Sequence, residues 1–259
     1  MKKIVALTLS VLMCCAVFIA CGKEEKQNKP TEESTATTPF SCPPSDGYDG
    51  YDFDSYEAIY KAMCDSESED HKMLVSEGQR HIETYQNPCL AQIMEAFEDG
   101  TASLIVPATK EGLMPLRISE DRPIVKIMSR EGYELTWIWY HCMYNDRYLR
   151  MEITYPEVFL GEGALNDVES IVDVTQLLMP ILITPEEFYP GITDTLLDMY
   201  EQNITVNGTT ELSALFFEEV SETEVWFMWE GALVILHTYN GEALTDEFWE
   251  DFRVQVYNG

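Results

Sequence analysis

Two stretches that alternate between polar and apolar residues constrain the fold most, because they meet at a turn of defined length. The segment Tyr133–Tyr155 is rich in aromatic and β-branched residues and contains Asn145-Asp146, which suits a two-residue hairpin turn. With that turn Tyr144 faces Arg147, and every later pair follows from this register. A three-residue turn would mix polar and apolar residues on both faces. The segment therefore predicts an antiparallel hairpin with one apolar face.

The other face of this hairpin carries the residues that we expect to form a ligand-binding site. The register pairs His141 with Arg150 and Trp139 with Glu152, and Trp137 follows on the same face. Two tryptophans beside a cation and a carboxylate suit a sugar or a peptide. The alternative is that a helix packs over this face, and burial of both indoles would decide for that alternative. These five residues are called the predicted platform below.

The remaining elements occur in blocks, which predicts a single α+β domain with an antiparallel β-sheet, N-terminal helices, inserted helices and a C-terminal helix. Asn207-Gly208 and Glu230-Gly231 are typical of hairpin turns, and Thr245 is a candidate N-cap for the last helix. The expected helices are Asp54–Met63, Ser68–Tyr85, Cys89–Phe97, Asn166–Leu178, one that starts at Thr184, Thr193–Tyr200 and Asp246–Val254, and the other strands are Leu104–Val106, Met114–Ile118, Ile124–Met128, Ile204–Val206, Leu212–Phe217, Val225–Trp229 and Ala232–Tyr239.

The N-terminus has the features of an export signal. Two lysines precede Ile4–Ala20, an uncharged apolar run of signal-peptide length that is marginal for a spanning helix. The run ends in Ala20-Cys21-Gly22, which resembles the lipobox of bacterial lipoproteins. The resemblance implies that residues 1–20 are a signal peptide and that Cys21 carries a diacylglycerol with acyl chains such as palmitate. An uncleaved membrane anchor and an ordinary signal peptide are the alternatives.

The segment after Cys21 predicts a flexible linker. Gly22–Gly47 is rich in Lys, Glu, Thr, Ser and Pro and contains almost no apolar residue. Such a composition cannot offset the entropy lost on ordering. We therefore expect three parts: a signal peptide at 1–20, a lipidated cysteine with a linker at 21–47, and a globular α+β domain at 48–259. The lipid would hold this domain on the extracytoplasmic face of the cell membrane.

The charge of the chain limits its partners. The formal net charge of −30 repels nucleic acid and anionic lipid headgroups. We therefore expect contact with the membrane through the lipid anchor and no nucleic-acid partner. High charge also keeps a crowded surface protein soluble, and this is the favoured explanation over an acidic binding function.

Four cysteines follow Cys21, and they allow three complete disulfide connectivities outside the cytoplasm. The absence of a CxxC pair argues against a zinc ribbon and against a thioredoxin-type motif. Cys64 ends one expected helix and Cys89 starts another, with an antiparallel helix between them. A bridge between Cys64 and Cys89 is the preferred pairing, and Cys42 and Cys142 remain.

No motif in the sequence assigns a catalytic activity. The chain lacks a P-loop, HExxH, GxSxG and a dinucleotide-binding fingerprint. His237 would face Glu224 across the last hairpin, either as an acid–base pair or, as we prefer, as a polar pair at the end of a sheet. The sequence therefore predicts no catalytic residue, no metal site and no cofactor.

The last quarter of the chain has a further resemblance. The pattern Val206-Asn207-Gly208, Trp226–Trp229 and Leu244-Thr245 is similar to uncharacterised C-terminal modules of Gram-positive envelope proteins. This similarity implies no activity. The leading hypothesis is a non-catalytic lipoprotein that binds a glycan, peptide or protein, and the alternative is a cell-envelope hydrolase. A solute-binding component of a transporter is disfavoured, because the chain lacks repeated βαβ units.

Overall fold

The structure is a computed structural model that describes residues 49–84, 89–117, 125–129, 135–166, 168, 170–182, 198–218, 222–239 and 244–259. These residues belong to one compact unit and form six helices and eleven strands. The helices are α1 (Tyr56–Cys64), α2 (Glu69–Thr84), α3 (Cys89–Glu98), α4 (Pro156–Leu160), α5 (Ile171–Leu182) and α6 (Asp246–Asp251). The strands are β1 (Asp49–Phe53), β2 (Ile105–Thr109), β3 (Gly112–Leu113), β4 (Val125–Ser129), β5 (Trp137–Tyr144), β6 (Arg147–Thr154), β7 (Asp198–Val206), β8 (Thr210–Glu218), β9 (Glu222–Trp229), β10 (Ala232–Tyr239) and β11 (Phe252–Val256).

The strands form two antiparallel sheets, which confirms the predicted α+β class. The large sheet has eight strands in the order β1-β4-β5-β6-β10-β9-β8-β7. The small sheet has three strands in the order β11-β2-β3. The pairing of β6 with β10 joins the two halves of the large sheet, and it links residues that are far apart in the chain. This contact places the central hairpin beside the C-terminal hairpin.

The predicted hairpin of β5 and β6 is confirmed in its turn and register. Asn145 and Asp146 have φ angles of 48° and 62°, which is the left-handed region that a two-residue hairpin turn requires. The pairs Tyr144–Arg147 and Cys142–Leu149 follow, and the alternation continues to the far end.

The hairpin of β9 and β10 lies in the middle of the large sheet and is apolar on both faces, as its sequence predicts. Its turn, Glu230-Gly231, has positive φ angles of 46° and 78°. Phe227 pairs with Val234 on one face, and Trp226 pairs with Ile235 on the other. All four side chains are buried. Strands buried on both faces need covering layers on both sides of the sheet.

The main hydrophobic core covers one face of the large sheet. The three N-terminal helices, the small sheet and α6 pack against it. Buried examples are Ile59 of α1, Ile93 of α3 and Phe252 of β11. The hydroxyl of Tyr56 donates a hydrogen bond to the carbonyl of Met114 over 3.0 Å, which ties α1 to the segment after β3. The amphipathic spacing of the helices therefore serves one shared core.

A second, smaller hydrophobic cluster covers part of the opposite face. Ile171 and Val174 of α5 pack with Trp226, Leu233 and Ile235 of the sheet. Hence α5 covers the end of this face that carries apolar residues. The rest of the same face carries the charged residues described below.

The helix boundaries correct several predictions near the N-terminus. The N-cap of α1 is Ser55 and not Asp54, because the Ser55 hydroxyl accepts a hydrogen bond from the Ala58 amide over 3.1 Å. The preceding residues Asp49–Phe53, for which no strand was predicted, form strand β1. The predicted helices Ser68–Tyr85 and Cys89–Phe97 are confirmed within one or two residues at each end of their described parts.

Three further differences concern the C-terminal half. Helix α5 begins at Ile171 and not at Asn166, and the Ser170 hydroxyl accepts a hydrogen bond from the Asp173 amide at this start. Strand β7 begins at Asp198, within the segment expected to be helical. Helix α6 ends at Asp251, and the chain continues as β11, so the predicted helix to Val254 was wrong in its second half.

Several predictions lie outside the described residues. They include the signal peptide, Cys21 and the linker, as well as Cys42 and the helix expected to start at Thr184. In the part of the chain that is described, no helix combines the length and the apolar character needed to cross a membrane.

Candidate ligand-binding site

Four neighbouring strands align one row of polar side chains across the large sheet. His141 of β5 pairs with Arg150 of β6, Arg150 pairs with His237 of β10, and His237 pairs with Glu224 of β9. Glu152 lies two residues from Arg150 on the same face. The β6–β10 pairing therefore joins the predicted platform to a second pair of titratable residues.

Arg150, Glu152, Glu224 and His237 form a compact ionic group, called the charged cluster. Arg150 Nε lies 2.7 Å from Glu152 Oε1, and His237 Nε2 lies 3.0 Å from the same oxygen. On the other side of the ring, His237 Nδ1 lies 3.0 Å from Glu224 Oε1. The imidazole thus bridges two carboxylates.

The charged cluster lies mostly out of contact with solvent. His237 is 5% exposed and Glu152 is 7% exposed, while Glu224 is half-buried. Burial of charges costs free energy unless they are paired and hydrogen-bonded. Here two carboxylates face one guanidinium and one imidazole, so each charge has a partner of opposite sign when the imidazole is protonated.

The surroundings shift the pKa values of two members of the charged cluster. Burial alone would lower the pKa of His237, but the close contacts and negative charges of Glu152 and Glu224 outweigh it and raise the pKa from 6.5 to about 9. Burial alone would raise the pKa of Glu224, yet His237, the indole of Trp226 and Arg150 together lower it. Both residues are therefore charged at neutral pH in this arrangement.

Aromatic rings surround the guanidinium of Arg150. Its central carbon lies 4.8 Å from the Trp139 ring centroid and 5.9 Å from that of Tyr239. Tyr148 stands 5.1 Å from Tyr239 between ring centroids, and its hydroxyl is hydrogen-bonded to His141 Nδ1. These rings are half-buried, except for the buried His141, so the charged cluster has an aromatic border that solvent reaches in part.

The structure brings together four residues of the predicted platform and separates the fifth. Trp139, His141, Arg150 and Glu152 surround the charged cluster or belong to it. Trp137 instead packs against the second hydrophobic cluster, beside α5. Neither Trp137 nor Trp139 is fully buried, so the condition that would have favoured a purely structural face is not met.

Sequence reasoning did not assign His237 and Glu224 to this site, although it paired them correctly. Their cross-strand pairing follows from the two-residue turn at Glu230-Gly231. The pairing of β6 with β10 could not be predicted, because no local sequence pattern specifies which strands become neighbours across a long connection. That pairing makes an isolated polar pair part of a larger group.

One set of side chains in this region has the donor atoms of a metal site. Glu222, Glu224 and His237 each present one donor atom, and these three atoms lie within 4.8 Å of one another. Glu222 and Glu224 are half-buried, and His237 is buried.

The expected bridge between Cys64 and Cys89 is not formed in the structure, which describes Cys64, Cys89 and Cys142 as thiols. The sulfur of Cys89 accepts a hydrogen bond from the Thr136 amide over 3.3 Å, so it faces the segment that leads into β5. Cys142 Sγ lies 3.6 Å from the Tyr56 hydroxyl. Burial raises the pKa of the Cys142 thiol to about 12 and that of Cys64 to about 11, so both are protonated at neutral pH.

A small cavity lies near the turn of the β5–β6 hairpin, between that turn, β10 and α6. It is lined by residues that include Tyr144, Thr238 and Phe248, and its volume is about 40 Å³. On this measure a cavity needs about 10–15 Å³ to hold one water molecule. This cavity therefore has room for solvent and not for an organic ligand.

Comparisons of the chain with protein-family models, with curated proteins and with solved structures found no match.

Proposed function

We propose that the chain is a non-catalytic binding protein, held at the extracytoplasmic face of the cell membrane by a lipid on Cys21. Its ligand, a glycan, a peptide or a segment of another protein, binds at the aromatic border of the charged cluster. The observation that carries this proposal is the division of one sheet face into an apolar end beneath α5 and an ionic end with half-buried rings.

The ionic end of the face is unlike what stability alone favours. At the apolar end, Leu233 and Ile235 continue the same face of β10 with aliphatic side chains. Replacement of buried ion pairs by well-packed apolar residues is often neutral or stabilising, so a stable sheet does not need the charged cluster. Fixed charges beside flat rings do suit recognition, because the rings provide stacking area and the charges fix orientation.

The electrostatics of the cluster favour binding over acid–base catalysis. A general base at neutral pH needs a pKa near 7, whereas the two carboxylates raise the pKa of His237 to about 9. Both ring nitrogens of His237 lie 3.0 Å from a carboxylate oxygen, so the ring is held by its neighbours on both sides. The alternative, a cell-envelope hydrolase, is supported by the same His237–Glu224 pair, and its test is hydrolysis of cell-wall glycans and peptides.

A ligand screen with matched tryptophan variants tests the binding site. The full chain in detergent is applied to arrays of glycans and peptides, together with Trp139→Ala and Trp229→Ala. Both tryptophans are half-buried strand residues, but Trp229 packs against the main core on the other face. We expect Trp139→Ala to weaken binding of any ligand found by about 10-fold, because one stacking or cation–π contact contributes about 1–2 kcal/mol, and Trp229→Ala to leave it unchanged. Equal binding by wild type and Trp139→Ala would remove the proposed site.

Mass spectrometry of the chain purified from bacterial membranes tests the anchor. We expect a polypeptide that begins at Cys21 and carries the added mass of a diacylglycerol. A Cys21→Ser variant should lack this mass, because serine has no thiol to carry the lipid. A wild-type chain with an unmodified Cys21 would contradict the anchor, and it would leave the ligand screen unaffected.

A further inference from the structure

We propose that Glu222, Glu224 and His237 bind a divalent transition-metal ion such as Zn²⁺ or Mn²⁺. The three residues lie on two paired strands, β9 and β10, at the edge of the charged cluster. This site goes beyond the proposed ligand function and does not depend on it.

The backbone brings the three donor atoms together without a loop. His237 is directly opposite Glu224 in the register, and Glu222 precedes Glu224 by two residues on the same face. The three donor atoms lie within 4.8 Å of one another. Zinc–ligand bonds of about 2.0–2.2 Å place neighbouring ligands of a tetrahedral ion about 3.3–3.6 Å apart, so small side-chain rotations would bring all three donor atoms around one ion.

The neighbours of these residues orient them as metal ligands are usually oriented. The far nitrogen of His237, Nε2, lies 3.0 Å from Glu152 Oε1, and Arg150 Nε lies 2.7 Å from that oxygen. A histidine that binds a metal typically donates its second ring N–H to a carboxylate, and Glu152 is the carboxylate in ion-pair contact with Nε2, although this contact lacks hydrogen-bond geometry. The other ring nitrogen, Nδ1, points toward Glu224.

The carboxylate of Glu224 is oriented in a similar way. The indole Nε1 of Trp226 donates a hydrogen bond to Glu224 Oε2 over 3.0 Å. The other oxygen, Oε1, lies 3.0 Å from His237 Nδ1, which is a separation typical of neighbouring ligands around one ion. Arg150 Nη2 lies 3.2 Å from the same Nδ1 and is the group that an ion would displace from it.

The local charge balance favours a divalent cation. With a neutral imidazole, Glu152, Glu222 and Glu224 against Arg150 leave a local charge near −2, which one divalent ion neutralises. The net charge of −30 on the chain also attracts cations to its surface.

The donor set indicates the class of metal. One imidazole with two carboxylates suits Zn²⁺ or Mn²⁺, whereas Mg²⁺ and Ca²⁺ favour oxygen ligands alone. The half-buried carboxylates leave one side of the ion open to water or to another ligand. Three protein ligands with an open position are typical of zinc sites that take up an additional ligand.

Isothermal titration of the full, tag-free chain in detergent tests the site. After treatment with EDTA and removal of the chelator, the chain is titrated with Zn²⁺, Mn²⁺ and Mg²⁺ at moderate ionic strength. We expect one equivalent of Zn²⁺ or Mn²⁺ to bind more tightly than Mg²⁺. In the Glu222→Gln variant the affinity should fall about 10-fold or more, because even residues that only orient metal ligands change affinity by 10–100-fold.

The Glu211→Gln variant provides the matched control. Glu211 is an exposed strand carboxylate on β8, so its replacement removes the same charge at a distance from the three ligands. We expect it to bind metal as the wild type does. The proposal is overturned if the wild type binds no stoichiometric metal ion, or if both variants bind as the wild type does. Equal weakening in both variants also overturns it, because that result reports only the overall charge of the protein.

Discussion

Raising the pH from 6.5 to about 9 should destabilise the protein through His237. The pKa of this residue rises from 6.5 in the unfolded chain to about 9 in the fold. A group with a raised pKa contributes its full stabilisation below the lower value and loses it as the pH passes the higher one. The difference of about 2.5 pH units, at about 1.4 kcal/mol for each, corresponds to about 3–4 kcal/mol over the whole titration, of which about 3 kcal/mol is lost between pH 6.5 and 9.

The groups that face His237 come from three strands. Arg150 and Glu152 lie on β6, Glu222 and Glu224 lie on β9, and Tyr239 lies two residues away on β10 itself. The carboxylates of Glu152 and Glu224 favour the imidazolium, and the guanidinium opposes it. The predicted loss therefore requires both carboxylates to remain ionised and in contact with the ring over this pH range.

The assay is urea unfolding at a series of pH values, with EDTA and a reducing agent present. Wild type is compared with His237→Gln, which has a similar volume and does not titrate. Above pH 9 the thiol of Cys64, whose pKa is raised to about 11, lowers the stability of both proteins. The quantity compared is therefore the difference between the unfolding free energies of wild type and variant. We expect this difference to fall by about 3 kcal/mol between pH 6.5 and 9. A constant difference over this range would refute the electrostatic account of His237.

Two further predictions concern stability. Replacement of Tyr140 by phenylalanine should leave the free energy of unfolding unchanged or raise it by about 1 kcal/mol, because the buried hydroxyl of Tyr140 has no hydrogen-bond partner among the described residues. A loss of more than about 2 kcal/mol in urea unfolding would contradict this prediction. Replacement of Asn207 by alanine should lower the free energy of unfolding by about 2–3 kcal/mol, because the side chain makes two hydrogen bonds to the backbone of Val254 and the residue has a φ of 58°. The Asn207→Gly variant keeps the turn and should lose about 1 kcal/mol less. Equal stability of all three proteins would be the contrary result.

The turn residues explain why the β5–β6 hairpin and the β9–β10 hairpin could be predicted from the sequence. Asn145-Asp146 and Glu230-Gly231 set two-residue loops, and a loop of fixed length determines which residues face each other along both strands. These two turns alone determine that His141 pairs with Arg150 in one hairpin and that Glu224 pairs with His237 in the other.

The elements that the sequence predicted incorrectly are those decided by distant contacts. Asp49–Phe53 looks like a polar lead-in to a helix, but it pairs with β4 as an edge strand. Phe252–Val256 continues a helical pattern, but it pairs with β2. In both cases tertiary pairing overrides local propensity, and a strand needs a neighbour that a single sequence does not identify.

The same limit applies to the candidate site. His141, Arg150 and Glu152 could be placed on one face from the hairpin alone. Their union with His237 and Glu224 depends on the contact between β6 and β10, which brings two separately predictable hairpins side by side. That contact turns two polar pairs into one ionic network.

The stability of an apolar version of the charged cluster tests most directly whether that network serves binding. Arg150→Met, Glu152→Leu, Glu224→Leu and His237→Leu are combined, and the free energy of unfolding is measured in urea at neutral pH. If the network exists for recognition, the variant should be as stable as the wild type or more stable, because apolar packing replaces buried ion pairs without loss. A decrease of several kcal/mol would show that these charges hold the sheet together, and it would contradict the account.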